Sequence, residues 1–234
     1  MSSLLIDLGN TRCKAAWRVD GGIELIGGDT DLARLLGAVE QAPDRVWLSS
    51  VAGESATRAV QAWCAEHWGC PLIEVTVERF LEHLPTQYAV DQLGVDRWLA
   101  LLACTRAGHA PAVVVDCGTA ITIDVLSAQG EHAGGYILPG FELMRGALLE
   151  ATAIRVQGNS EAGGLPRNTA SAIAQAGPAA VAALVDSLAE ASEGMVILGG
   201  GGSGELAGCL QAPSTCLQQL VLRGLAALSF LEED

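Results

Sequence analysis

The sequence predicts an α/β protein built from two duplicated domains. Its 234 residues suffice for one large domain or two small ones, and half of them are apolar, enough to bury a sizeable core. A buried strand that runs into an Asp-x-Gly turn and then a second apolar strand occurs twice, at Asp7–Gly9 and at Asp116–Gly118. Asp116 stands 109 residues after Asp7, and a period near half the chain length indicates a duplicated domain. We expect domains at 1–110 and 111–234.

Short apolar runs predict the strands of the first half, and apolar residues at helical spacing predict its helices. The predicted strands are Leu4–Ile6, Lys14–Val19, Ile23–Ile26, Arg45–Val51 and Pro71–Val77. The predicted helices are Asp31–Glu40, Glu54–Trp68 and Val95–Ala107. The last of these is amphipathic and begins directly after Gly94.

The second half opens as the first does. A strand at Ala112–Val115 runs into the second Asp-x-Gly turn, and the apolar run Ile121–Leu126 follows. Helical stretches come next, then a strand at Met195–Leu198 that ends in the glycine run Gly199–Gly202. A final helix is expected over Leu217–Leu231.

Charge and cysteine content narrow the class of protein. Lys and Arg number 13 and Asp and Glu 27, so the formal net charge is −14, a field that repels phosphate backbones. We therefore expect no nucleic-acid partner. The longest uncharged stretch, Asn168–Val185, is too polar for a membrane span, and the N-terminus shows no secretory segment. The cysteines number seven and form no CxxC pair, which is typical of reduced thiols in a cytoplasmic protein.

Each Asp-x-Gly turn can hold phosphate groups without a lysine. Lys14 is the only lysine and no GxxxxGK[ST] motif is present, which excludes a P-loop kinase. Glycine after a strand points backbone N–H groups outward, and the hydroxyls of Thr11 and Thr119 add donors. An aspartate at the strand end can hold a hydrated metal ion. One such turn is more often an Asx-turn that caps a hairpin, but two matched copies favour a phosphate clamp.

Asp96 and Arg97 follow Gly94 in the first turn of a predicted helix and allow two interpretations. In one, Asp96 complements the helix dipole and Arg97 is a surface charge. In the other, Asp96 accepts a proton from a substrate hydroxyl as a phosphoryl group arrives, while Arg97 steadies the developing charge or the substrate. Spacing alone leaves both open.

In their order along the chain, these motifs resemble those of type III pantothenate kinases. The matching segments are Asp7–Thr11, Gly94–Arg97, Asp116–Thr122, Gly134–Gly140, Arg167–Thr169, Gly199–Gly202 and Leu220–Leu225. Each motif alone is modest, but the joint order and spacing are specific. The resemblance spans residues 4 to about 228.

The resemblance implies two ribonuclease-H-like domains of the acetate and sugar kinase/Hsp70/actin type around a nucleotide cleft. It implies transfer of the γ-phosphate of ATP to the 4′-hydroxyl of pantothenate, the first step of coenzyme A biosynthesis. The cofactors it implies are Mg²⁺ and a monovalent cation, K⁺ or NH₄⁺. It also implies a homodimer whose partner subunit helps to wall the pantothenate pocket.

The resemblance assigns a role to each matching residue. The first phosphate loop would comprise Asp7, Leu8, Gly9, Asn10, Thr11, Arg12, Cys13 and Lys14. Thr119 would contact ATP, Asp116 would help to bind the monovalent cation, and Asp96 would accept the proton. The segment around pantothenate would comprise Tyr88, Gly94, Val95, Asp96, Arg97 and Thr169.

Two other functions remain as alternatives. The first is a nucleotide-gated binding or regulatory protein on the same fold that has lost catalysis. Against it, Asp7, Asp96 and Asp116 are all present, whereas a degenerate relative would be expected to lose at least one. The second is a kinase or hydrolase of the same superfamily acting on a sugar or a phosphoanhydride, which the Gly94–Arg97 and Gly134–Gly140 motifs disfavour.

Overall fold

The computed structural model describes residues 2–157, 159–160 and 164–233. In sequence order, the strands β1–β10 within these ranges are Ser3–Leu8, Cys13–Val19, Gly22–Asp29, Arg45–Ser50, Leu72–Glu74, Ala112–Cys117, Ala120–Leu126, His132–Pro139, Met195–Gly199 and Ser214–Cys216. The helices α1–α7 are Leu32–Gly37, Glu54–Trp63, Val95–Arg106, Phe141–Ala151, Thr169–Ser192, Ser203–Ala207 and Leu220–Leu231. A π-helical turn continues α2, and two 3₁₀ turns precede α3.

The two sheets have the same topology. Their strand orders are β3-β2-β1-β4-β5 and, read from the matching edge, β8-β7-β6-β9-β10. The central strand of each sheet, β1 or β6, pairs antiparallel with the next strand in the chain and parallel with the later one. Asp7 and Asp116 are the next-to-last residues of these two central strands. The predicted duplication of an α/β domain is confirmed by this correspondence.

The described residues divide into two compact units. Unit 1 contains residues 2–109, 130–133 and 219–233, and unit 2 contains residues 110–129 and the described part of 134–218. This differs from a single division after residue 110, because α7 and the short stretch 130–133 belong to unit 1. Helix α7 lies so close to α3 that a Cβ atom at Gly224 would overlap the carbonyl oxygen of Leu99.

Each unit has its own apolar core. In unit 1, one face of β1 and β4 packs on the first two helices through side chains such as Leu4, Ile6, Leu48 and Val60. In unit 2, β6, β7 and β9 pack on α5 through side chains such as Val113, Ile123, Val185 and Leu198. Of the described helices, α5 alone is long and apolar enough to cross a membrane by length and composition. Its Val181, Val185 and Ala189 are buried in the core of unit 2.

Most predicted helices and strands are confirmed, and the differences have local causes. The predicted strand Pro71–Val77 is only Leu72–Glu74, because the chain then turns into a 3₁₀ helix. The last helix begins at Leu220 rather than Leu217, after Gln219 with a φ of 60°. Strands β8 and β10 were not predicted: β8 contains two glycines, and β10 has only three residues.

Candidate active site

The first phosphate loop is a tight turn between β1 and β2. The Gly9 N–H donates to the carbonyl oxygen of Arg12 at 3.1 Å, which leaves Asn10 and Thr11 exposed at the tip. The Arg12 guanidinium donates to the carbonyl oxygen of Gly28 at 2.8 Å and so ties the turn to β3. The exposed amide and hydroxyl groups of this turn are donors of the kind that bind phosphate oxygens.

Two predicted loop residues point away from solvent. Leu8 and Cys13 are buried in the core of unit 1. The Cys13 thiol donates to the carbonyl oxygen of Asp29 at 3.0 Å, and burial raises the pKa of this thiol. Their side chains therefore anchor the turn.

Asp7 lies beside an unusual buried hydroxyl. Asp7 is 7% exposed, and it is aligned with Lys14 on one neighbouring strand and with Ser49 on the other. In-register residues of paired strands point to the same side of a sheet. The Ser49 Oγ is fully buried and has no hydrogen-bond partner among the described residues. A buried hydroxyl without a partner usually contacts water or a ligand that occupies the site.

The second phosphate loop is tied down more tightly than the first. The Gly118 N–H donates to the carbonyl oxygen of Ala120 at 3.0 Å, and Thr119 lies exposed at the tip. The N–H of Gly140 donates to the carbonyl oxygen of Thr119 at 2.8 Å, and that of Gly202 donates to the carbonyl oxygen of Cys117 at 3.0 Å. Glycine-rich segments after β8 and β9 thus support both sides of the loop.

Close packing explains why these supports are glycines. A Cβ atom at Gly140 would overlap the carbonyl oxygens of Gly118 and Thr119. At Gly200 the φ is 79°, and a Cβ atom would lie 2.6 Å from Oδ1 of Asp116. Both positions therefore exclude other residues unless the loop moves. The glycine run Gly199–Gly202 therefore has a packing role beside the second phosphate loop.

A pocket of about 360 Å³ lies against this loop within unit 2. That volume is within the range of small-molecule sites. Residues lining it include Gly118, Thr119, Gly140, Arg145, Gly202 and Glu205. Arg145 donates to Glu205 at 3.0 Å and also pairs with Glu142. The hydrogen bond to Glu205, followed by that to Glu142, raises the pKa of Arg145, and these two carboxylates offset its charge beside the pocket.

Asp96 lies in the first turn of α3, half-buried. Its Oδ1 accepts a hydrogen bond from the N–H of Arg97 at 2.8 Å, so the carboxylate does stabilise the helix terminus. A Cβ atom at Gly94 would lie 2.5 Å from the same Oδ1, so the carboxylate turns back over Gly94. Helix stabilisation and proton transfer are compatible, because a half-buried carboxylate retains access to a substrate.

Arg97 is not a surface charge. It is 4% exposed, and its Cζ lies 5.0 Å from the centroid of the Tyr88 ring, within reach of a cation–π interaction. Unit 1 therefore brings Tyr88 into contact with the Gly94–Arg97 segment, which follows it closely in the sequence. Val95, within that segment, is buried and anchors it.

Thr169 belongs to unit 2, where it is the exposed first residue of α5. The side chain of Asn168 caps this helix by accepting from the Ser171 N–H at 2.8 Å. Thr169 therefore sits at a defined position, at the start of a 24-residue helix. Its proposed contact with pantothenate stays a prediction.

Sequence reasoning missed four residues near these sites. Arg145 and Glu205 line the pocket of unit 2, and Thr86 and His132 pack beside Tyr88. His132 follows Tyr88 by too many residues for a local sequence pattern to connect them. Its position two residues before the Gly134–Gly140 motif was the available signal.

The repeated topology and the paired Asp-x-Gly loops define a two-domain protein of the acetate and sugar kinase/Hsp70/actin type. Solved structures of that architecture are similar over nearly the whole chain. A Campylobacter jejuni protein described as a Baf family transcriptional activator has a TM-score of 0.66 at 20% identity, covering 99% of this chain and 100% of that one. A Listeria monocytogenes protein described as an N-acetylmannosamine kinase has a TM-score of 0.59 at 14% identity, with coverage of 100% and 99%. At these identities the likeness concerns the fold.

Sequence comparison gives the family. The family profile of the type III pantothenate kinases matches residues 3–191. A type III pantothenate kinase from Halorhodospira halophila is 36% identical, covering 95% of this chain and 95% of the relative. Another from Aromatoleum aromaticum is also 36% identical, with 97% of each chain covered. The chain belongs to the type III pantothenate kinase family.

Proposed function

We propose that this protein transfers the γ-phosphate of ATP to the 4′-hydroxyl of pantothenate, the first step of coenzyme A biosynthesis. The observation that most supports this is the contact between the Gly94–Arg97 segment and Tyr88, which holds Arg97 over the Tyr88 ring. This segment holds a carboxylate and a buried guanidinium side by side, as a hydroxyl acceptor with an acidic group requires. Membership of the family supplies the identity of the substrate.

In this reaction Asp96 accepts the proton of the attacking hydroxyl. Phosphoryl transfer has a loose transition state, so the base needs correct placement more than high basicity. The hydrogen bond from the Arg97 N–H and the close approach to Gly94 hold the Asp96 carboxylate in one orientation. Arg97 steadies the substrate or the charge that develops on it, and Tyr88 orients the Arg97 guanidinium.

The two phosphate loops bind ATP largely through backbone N–H groups and hydroxyls. Asn10 and Thr11 supply side-chain donors in unit 1, and Thr119 does so in unit 2. The pocket beside Thr119, with Arg145 facing it, accommodates another part of the nucleotide. Donors fixed before the substrate arrives stabilise transition-state charge without reorganisation.

The residues present fit Mg²⁺ bound together with phosphates. No group of three or more His, Cys, Asp or Glu side chains among the described residues could hold a metal ion alone. Mg²⁺ typically keeps several waters and uses one or two carboxylates plus substrate phosphates. Asp7, with the unpartnered Ser49 hydroxyl beside it, would hold the hydrated ion. Bound Mg²⁺ would neutralise phosphate charge.

A monovalent cation, K⁺ or NH₄⁺, is proposed near Asp116. The support is the scarcity of positive charge: the chain has one lysine and a net charge of −14, yet binds an anionic nucleotide. Asp116 is half-buried at the end of β6, with its Oδ1 packed against Gly200. A cation here would offset negative charge of the nucleotide that the few basic side chains leave uncompensated.

We further propose a cytoplasmic homodimer formed through unit 2. The surface of unit 2 exposes large apolar side chains that are grouped in two neighbouring segments. Exposed apolar residues that are grouped, unlike single scattered ones, indicate an interaction surface. They are Tyr136 and Ile137 of β8 and Leu143, Leu148 and Leu149 of α4. A second copy of this chain would cover them. The molar mass measured by light scattering should be that of a dimer for the wild type and that of a monomer for Ile137→Asp. A monomeric wild type would contradict the proposal.

The function is tested by ADP release from Mg²⁺–ATP with and without pantothenate, in K⁺ and again in Na⁺. Turnover that requires both pantothenate and K⁺ is expected. If pantothenate-dependent turnover is as fast in Na⁺ as in K⁺, the cation proposal is overturned. Bound nucleotide without pantothenate-dependent turnover in either salt would favour the regulatory binding protein. Faster turnover of glucose or acetate than of pantothenate would indicate another kinase of the superfamily.

A further inference from the structure

We propose that His132 is a positioning residue for pantothenate, acting through Tyr88 and Arg97. This inference rests on the proposed function. His132 is the first residue of β8 and lies in the short stretch 130–133 that belongs to unit 1. Its side chain is fully buried. Histidine is seldom fully buried without a partner for its ring nitrogens, so its contacts need an explanation.

The His132 imidazole contacts the substrate segment at two points. Its Nδ1 lies 2.8 Å from the Oγ1 of Thr86, and its ring stacks on that of Tyr88 with centroids 5.9 Å apart and planes 19° apart. The same Thr86 Oγ1 accepts a hydrogen bond from the Tyr88 N–H at 2.9 Å. Because a hydroxyl accepts and donates at once, Thr86 can link the Tyr88 backbone to the imidazole. His132 thus restrains both the backbone and the ring of Tyr88.

Tyr88 in turn restrains Arg97. The Arg97 guanidinium is buried and lies over the ring of the half-buried Tyr88, and Arg97 directly follows Asp96 in the chain. An arginine side chain has many rotamers, and a planar aromatic neighbour limits them. A chain of contacts therefore leads from His132 through Tyr88 to the groups proposed to bind pantothenate. The contacts described here join His132 to Thr86 and Tyr88, and Tyr88 to Arg97, all outside the two phosphate loops.

The backbone around His132 is held independently of its side chain. The His132 N–H donates to the carbonyl oxygen of Pro85 at 3.0 Å, and the Gln87 N–H donates to the carbonyl oxygen of His132 at 2.9 Å. These bonds remain when the side chain is changed. Substitutions at position 132 therefore report on the imidazole more than on the path of the backbone.

The experiment compares His132→Ala, His132→Phe and His132→Asn with the wild type by steady-state kinetics. Phenylalanine keeps a ring to stack on Tyr88 but loses the bond to Thr86, whereas asparagine keeps a polar group near Nδ1 but loses the ring. His67→Ala is the matched control, because the His67 ring also stacks on an aromatic ring, that of Trp63, but at an exposed position. Melting temperatures of all variants show whether each is folded.

For His132→Ala we expect the KM for pantothenate to rise by about 10- to 100-fold, since small misplacements of binding groups have effects of this size. The KM for ATP should change by less than about twofold, because the interaction lost concerns one substrate only. His132→Phe and His132→Asn should each recover part of the loss. His67→Ala should match the wild type in both KM values.

Two results would overturn the inference: an unchanged KM for pantothenate in His132→Ala, or equal increases in both KM values. If His132→Ala does not fold, the inference is tested with His132→Phe, His132→Asn and Thr86→Val instead. Wild-type KM values for pantothenate in all three variants would also overturn it. A wild type without pantothenate-dependent turnover contradicts the proposed function instead. The two failures are therefore distinguishable in one series of assays.

Discussion

A Cβ atom at position 94 would lie 2.5 Å from the Oδ1 of Asp96, closer than such atoms approach in proteins. The φ of Gly94 is −57°, which any residue adopts, so backbone conformation does not require glycine here. The requirement comes from the carboxylate, which folds back over residue 94. Gly94 and Asp96 therefore act as a pair, in which one residue provides the space that the other occupies.

Gly94→Ala should reduce kcat by at least about 10-fold, because the added methyl group pushes the Asp96 carboxylate out of position. The melting temperature should fall by no more than a few degrees, since the displaced carboxylate loses its hydrogen bond from the Arg97 N–H but no backbone atom has to move. Gly37→Ala is the control, because nothing lies within 4 Å of a Cβ atom at Gly37. Wild-type kcat in Gly94→Ala would mean that the orientation of Asp96 is unimportant.

Asp96→Asn should reduce kcat by about 10²- to 10⁴-fold, the usual effect of losing a positioned base. Asparagine keeps an oxygen that can accept from the Arg97 N–H, so α3 should remain intact. Pantothenate binding, measured by calorimetry, should persist. A near-normal rate would leave Asp96 with its helix-stabilising role alone.

Gly140→Ala should raise the KM for ATP and lower the melting temperature by several degrees. A Cβ atom there overlaps two backbone carbonyl groups of the second phosphate loop, and overpacking of this kind costs about 1–3 kcal/mol. Gly146→Ala, within α4 and in open space, serves as the control and should be neutral or slightly stabilising. Equal KM values for ATP in both variants would argue against a role of this loop in nucleotide binding.

The cysteines should differ sharply in reactivity. Burial raises the pKa of Cys64, Cys104 and Cys117 to about 12, so these thiols stay protonated at pH 8, whereas Cys209 and Cys216 are exposed. Brief treatment with iodoacetamide followed by peptide mass spectrometry should find Cys209 and Cys216 modified first, because the thiolate is the nucleophile. Early modification of Cys104 would contradict its burial.

The same pKa values predict how stability depends on pH. A thiol that titrates at its ordinary value of 9.0 when unfolded, but near 12 when folded, binds its proton more tightly in the folded state. Its contribution is complete below pH 9 and is lost as the pH rises toward 12. The free energy of unfolding, measured with urea, should therefore fall across this interval. A constant value would contradict the buried thiols.

The sequence predicted the fold class because duplication leaves a repeated pattern. Asp7 and Asp116 mark equivalent positions, and each apolar strand next to them was visible as a short hydrophobic run. The pattern did not reveal which unit receives α7. An apolar helix of this kind packs equally well on several sheets, and its partner is fixed only by long-range contacts such as that between Gly224 and Leu99.

The site was predictable where it is local in sequence. The Gly94–Arg97 segment and the two turns were found because their residues are neighbours in the chain. His132 and Arg145 were not, since His132 meets Thr86 and Arg145 meets Glu205 across many intervening residues. The buried state of Arg97 was also beyond reach, because it depends on Tyr88 and the packing of α3.

Unit 1 is assembled from segments that lie far apart in the chain, 2–109 and 219–233, and this affects the order in which it can fold. Domains generally fold as units in the order of synthesis, but here the unit that contains Asp96 lacks α7 until residues 219–233 have been made. Unit 2, whose residues all precede Gln219, can be complete earlier. Nascent chains halted before residue 219 should therefore expose the apolar surface of α3 that α7 covers.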